Sequence, residues 1–161
     1  MDRPAELANG VQAELDRRHR MTALTIHSLL VATPLLSLIV FAGKGYLYPH
    51  DNPSVDVTWK IFVVILGLGS IVLRRTRFAA MRLKDIGALR GAIGLIITLE
   101  KTTLQLAILG AVIAVMGFIC TLMTGNPRYT YGAGLVAIVV LLYCYPTKTS
   151  WRRTVQQFAQ E

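Results

Sequence analysis

Four apolar stretches, Thr22–Gly43, Val57–Leu73, Leu104–Thr124 and Tyr131–Tyr145, occupy most of this 161-residue chain. Crossing a bilayer takes roughly 20 mostly apolar residues of helix, and each stretch reaches or nearly reaches that length. Lipid offers no hydrogen bonds to a bare backbone, so a spanning segment satisfies its own N–H and C=O groups by coiling into an α-helix. Composition agrees: 53% of residues are hydrophobic and 16% charged, against about 25% charged in soluble domains. The expected fold is an all-α integral membrane protein with four transmembrane helices (spans about 22–43, 57–73, 104–124 and 130–146). A basic amphipathic cytoplasmic segment, 74–103, lies between helices 2 and 3. The expected division is an N-terminal arm 1–20, a transmembrane domain 21–147 and a tail 148–161, with nothing left for a separate soluble module.

Lys and Arg are spread unevenly between the spans. Residues 1–20 hold Arg3, Arg17, Arg18 and Arg20, and the tail holds Lys148, Arg152 and Arg153. Residues 74–101 hold Arg74, Arg75, Arg77, Arg82, Lys84, Arg90 and Lys101. All but three of the 17 cations therefore fall on one side, the exceptions being Lys44, Lys60 and Arg128. Cytoplasmic loops carry such an excess, which predicts both termini in the cytoplasm and, for so compact a chain, a bacterial inner membrane. The first span begins after about 20 polar residues and lacks a small-residue cleavage site, so it reads as a retained anchor rather than a signal peptide. The net charge of +8 reports orientation. The aromatic interleaving that nucleic-acid binding uses is missing, and no such partner is expected.

Helices in lipid associate through small residues that let backbones approach. Gly67 and Gly69, with Ser70, give the second span such a patch. Ala107, Gly110, Ala111, Ala114 and Gly117 recur at three- and four-residue steps along the third. That stripe serves equally to close this chain's own bundle or to form a homo-oligomer. Between the two spans, Phe78, Met81, Asp85 or Ile86, Leu89, Ile93 and Ile96 recur with helical spacing, and a break is expected near Gly87 or at Gly91 and Gly94. The segment reads as an amphipathic hairpin or as extensions of the neighbouring spans. Arg74, Arg75, Arg77, Arg82, Lys84 and Arg90 are candidates for lipid headgroups, at about 1 kcal/mol per cation near an anionic surface. An acidic partner protein is the alternative.

Elsewhere, Leu7, Val11 and Leu15 give the arm a modest amphipathic pattern. Thr33-Pro34 predicts a kink in the first span, with Thr33 and Ser37 available to the freed carbonyl. Tyr46, Tyr48, Trp59, Tyr129 and Tyr131 sit where an aromatic belt belongs, and Trp151 with Arg152-Arg153 reads as an interfacial tail. Cys120 and Cys144 differ in depth by more than roughly 10 Å by helical rise. A disulfide needs Cα atoms within about 7 Å, so both read as small buried apolar residues.

Ionisable groups inside a bilayer are costly and are candidates for function. Glu100 leads, at the cytoplasmic edge of the third span with Gln105 about one turn away. It could relay protons or bind a cation. The preferred expectation is an interfacial carboxylate paired with Arg or Lys of the preceding loop. His27, about two turns into the first span, could titrate or ligate a haem or pigment, but a histidine bonded to a neighbouring helix is preferred. His50, Asp51 and Asp56 do not have zinc-motif spacing, so no metal is expected. No nucleophile elbow, phosphate loop, HExxH or CxxC is present. The run from Leu99-Glu100 to the Ala/Gly-rich Ala107–Gly117 faintly resembles the carboxylate hairpin of rotary ATPase proteolipids. It departs from them in the edge position of its carboxylate and in its long basic segment, so no family is assigned.

These features predict a non-enzymatic accessory or structural subunit of a larger membrane assembly or homo-oligomer. Its expected partners are membrane lipids and other integral subunits, without a cofactor beyond lipid. Proton or ion translocation through Glu100 is the alternative, and a haem- or pigment-binding subunit using His27 comes third.

Overall fold

The computed structural model describes residues 3–48 and 53–158. The described residues form five α-helices and no strand: α1 Arg3–Gly43, α2 Pro53–Arg77, α3 Ala80–Thr124, α4 Arg128–Tyr143 and α5 Lys148–Phe158, with a 3-10 turn at Lys44–Tyr46 after α1. Three of them, α1 to α3, are long and apolar enough to cross a membrane; α4 and α5, bent by 45°, make a fourth if they count as one span.

The arm is not separate from the first span. At 41 residues, α1 is about 60 Å long, twice the thickness of a hydrocarbon layer. The charged stretch before Met21 stays helical because its charges pair along the helix: Arg18 Nε donates to Glu14 Oε1 at 2.5 Å, one turn back. The helix also continues through Pro34. Thr33 Oγ1 donates to the Leu29 carbonyl at 2.9 Å.

The basic middle segment is helical apart from Phe78 and Ala79, which separate α2 from α3, and α3 is broken at Gly91. There φ is 64° and ψ −171°, a conformation that only glycine holds without strain. Gly87 lies buried within helix. Gly94 is also helical, and a Cβ there would overlap the Arg90 side chain. In a straight helix Leu83 and Leu106 would stand about 35 Å apart, yet both line a single cavity of 720 Å³. The legs 80–90 and 91–124 therefore fold towards each other about Gly91. Gly91→Ala is expected to cost on the order of 2 kcal/mol and to loosen the 80–90 leg. Faster amide exchange confined to that leg checks this, and unchanged exchange contradicts it.

The helices enclose three apolar cores, the smallest joining Ile26 of α1, Ala107 of α3 and Leu141 of α4. One joins Val63, Leu106, Ile113, Ala114, Ala133, Ala137 and Val140 of α2, α3 and α4. Another lies towards the basic end and joins Leu15 of α1, Leu83, Leu95, Ile96 and Leu99 of α3, and Trp151 and Val155 of α5. This basic-end cap alters two expectations. Trp151 is 3% exposed and part of a core rather than an interfacial anchor. The tail is helix α5, which starts at Lys148 after a non-helical link through Pro146.

The small-residue stripe of α3 faces this chain's own helices. Gly117 lies against Ala133 and the Tyr129 carbonyl, and Gly110 lies against Leu141 and the Ala137 carbonyl. Ala107 is buried with Ile26 and Leu141, Ala114 is buried, and Ala111 is half-buried. Gly67 faces Val136 of α4, whereas Gly69 is exposed with open space beside it. The α3–α4 turn is held by polar bonds. Gly125, at φ 68°, caps α3 with its N–H on the Thr121 carbonyl at 2.8 Å. Thr130 donates its N–H at 3.0 Å and its hydroxyl at 2.8 Å to Thr121 Oγ1. Among the described residues both cysteines are free, Cys144 buried and Cys120 half-buried.

Candidate functional site

The densest polar cluster lies at the basic end, where α1, α3 and α5 meet. Residues 14–19 of α1 put Glu14, Arg18 and Leu15 towards α3 while Asp16 and His19 face α5, as helical spacing requires. Arg18 is held between two carboxylates, Glu14 one turn back and Glu100 of α3. Its guanidinium pKa is raised by the bonds to both acids. Asp16 accepts from Lys148 Nζ at 2.8 Å, with Arg152 Nη2 at 3.7 Å from its other oxygen. His19 Nε2 donates to the Pro146 carbonyl at 3.0 Å, and the His19 ring meets Trp151 edge-on at 5.6 Å. Two of the three cap helices are thus joined to α1 by charge as well as by apolar contact.

These bonds shift the acids. The Arg18 guanidinium holds the Glu14 carboxyl below its ordinary value, and Lys148 does the same for Asp16. A carboxyl depressed in the folded state contributes stability that is present above its unfolded pKa and is lost as pH falls through the folded one. Acidification below about pH 4 should therefore loosen α5 from α1. In a Trp59→Phe background the Trp151 fluorescence should report this. An emission spectrum constant from neutral pH to below pH 3 would contradict it.

The sequence candidates fall in different places. Glu100 is half-buried, and its partner Arg18 lies on the N-terminal arm rather than on the preceding loop. Gln105 is half-buried farther along α3. His27 is exposed; its Nδ1–H donates to the Ala23 carbonyl at 3.0 Å, and its ring meets Tyr145 edge-on at 5.4 Å. It stands nine residues beyond Arg18, about 13 Å by helical rise, so His27 and Glu100 are not brought together. Arg75, Arg82, Lys84 and Arg90 are exposed and Arg77 is half-buried. Arg74 turns inward, donating to the Tyr143 carbonyl with its guanidinium 4.0 Å above the Tyr143 ring.

Beside the cap a cavity of 720 Å³ opens between the end of α2, both legs of α3, the α4–α5 link and α5. At the opposite end Asp56 accepts from Lys60 at 2.6 Å and from the Tyr129 hydroxyl at 3.4 Å, and Trp59 meets Tyr129 edge-on at 5.2 Å. His50 and Asp51 lie outside the described residues. Among the described residues no group of three His, Cys, Asp or Glu could hold a metal.

Sequence reasoning missed Leu15, Asp16, His19, Lys148 and Trp151 as members of one cluster. A signal existed: the Val11/Leu15 and Trp151/Val155 pairs each give an isolated polar segment a short apolar stripe. Compared with known proteins, the chain matches no family model, no curated protein and no solved structure.

Proposed function

We propose that this chain is a small polytopic membrane protein with four transmembrane helices and both ends in the cytoplasm of a bacterium. It acts as a non-catalytic accessory or structural subunit of a larger membrane assembly or homo-oligomer. The observation that carries the membrane part is the exposed apolar surface. Leu24, Val31 and Leu38 of α1, Ile65, Leu68 and Val72 of α2, Ile108, Val115 and Leu122 of α3, and Leu135 and Val139 of α4 all lie open. Soluble monomers rarely expose contiguous apolar patches above a few hundred Å².

Charge and register support the orientation. Arg18 meets Glu100, and Ile26 packs with Ala107. The two helices therefore run parallel, with Arg20 and Thr22 level with Lys101 and Thr103. The cations of both helices mark the same depth, as a membrane boundary requires. The non-catalytic part is supported by Asp16 and Glu100, which join helices, and by Glu14, which is held by Arg18 within α1.

Extraction from native membranes in mild detergent, followed by native mass spectrometry and an absorbance spectrum, tests the proposal. The expected species is colourless and contains this chain at fixed stoichiometry with other chains or copies of itself. A colourless monomer would overturn the subunit role and turn attention to ion or proton translocation, with Glu100→Gln the first variant. A coloured species that bleaches on His27→Ala would favour a haem or pigment subunit.

A further inference from the structure

We propose that the 720 Å³ cavity at the basic end is a binding site for one anionic phospholipid of the surrounding leaflet. The inference rests on the membrane reading above and adds a specific ligand to it. Binding sites for small molecules commonly have volumes of about 300–1,000 Å³ and combine an apolar lining with a few placed polar groups. This cavity has that make-up. Phe78, Leu83, Leu99 and Leu106 supply apolar walls, while Arg74 and Ser150 supply polar ones. Among the described residues that line it, none is a carboxylate.

Its depth points to a lipid rather than a solute. Thr103 lines the cavity and stands at the level where the cations of α1 and α3 mark the boundary. Leu142, also in the lining, is 58% exposed and lies on the span side of that level. A ligand seated here has its polar part at the boundary and its apolar part along α4. The charge points to an anion. Arg74 is fixed by the Tyr143 carbonyl and ring, and a guanidinium carries five N–H donors in a rigid fork. One fork edge holds the carbonyl, and the remaining donors suit a phosphate. Arg75 and Arg77, in the same last turn of α2, add to the positive potential.

The test begins with the membrane pellet. If the chain stays in the supernatant, the membrane reading fails before any lipid is added. Protein from the pellet is then stripped and exchanged into mixed micelles holding phosphatidylglycerol or phosphatidylcholine, and retained lipid is counted by native mass spectrometry. One phosphatidylglycerol per chain is expected on the wild type, with little phosphatidylcholine. Arg74→Gln should lower retention about fivefold. Because Arg74 also holds the end of α4, a second variant fills the cavity from the other wall: Thr154→Trp should abolish retention while helical content and melting stay near wild type. Arg128→Gln, an exposed cation at the opposite end and outside the lining, should retain lipid normally. Equal retention of both lipids, or wild-type retention by a folded Thr154→Trp, overturns the site. Displacement of the lipid by millimolar inorganic phosphate would assign the cavity to a free anion and overturn it as a lipid site.

Discussion

Trp151→Ala should open the basic-end cap and cost about 3–5 kcal/mol, the usual range for removing a buried Trp side chain. Trp151 is 3% exposed and packs in one core with Leu15, Leu95, Ile96 and Leu99. Its loss leaves a void that three helices joined by a short link cannot close without moving. The damage should be local, since the span core of α2, α3 and α4 shares none of these buried residues. Hydrogen exchange distinguishes the cases. Amides of α5 and of α1 before Met21 should exchange much faster, with those between Leu106 and Val140 unchanged. Uniform acceleration throughout, or none, would refute a separate cap. Trp151→Phe retains most of the apolar area and should lose much less.

Gly117→Val should be the most damaging single change within the bundle, at about 3 kcal/mol, near the upper end for overpacking. A Cβ on Gly117 would overlap that of Ala133 and stand 2.8 Å from the Tyr129 carbonyl. Neither atom can rotate away, because one is fixed to the α4 backbone and the other belongs to it. The helices must part, and the Thr121–Thr130 bonds beside them would stretch. Gly69→Ala is the control: a Cβ there meets nothing within 4 Å, and Ala is a better helix former by about 1 kcal/mol. Thermal denaturation in detergent should therefore lower the midpoint for Gly117→Val and leave or raise it for Gly69→Ala. Equal midpoints would mean that close approach of α3 and α4 contributes nothing.

These two positions show how legible the fold was. Gly117 stood out in the sequence because small residues at three- and four-residue steps are a local pattern. Which surface that stripe meets was open, since a stripe serves a neighbour in the same chain as well as one in another. Trp151 was misplaced for a related reason. A Trp beside two arginines has the composition of an interfacial anchor, and only the proximity of Leu15 and Leu99 makes it a core residue. Glu100 was legible as a carboxylate held in an ion pair. Its partner was expected nearby in sequence, whereas Arg18 lies 82 residues earlier in the chain.

Some properties needed nothing beyond the sequence. Helical structure, long apolar segments and the gathering of cations between alternate segments all follow from local composition. Backbone satisfaction and the cost of transferring charge act on each segment by itself. The tertiary structure decided what depends on segments meeting: the continuity of α1, the fold-back at Gly91, the basic-end cap and the ion pairs Arg18–Glu100 and Lys148–Asp16. Each joins residues whose attraction falls off within a few ångströms, so it exists only once packing has set the register of α1 against α3 and brought α5 against both.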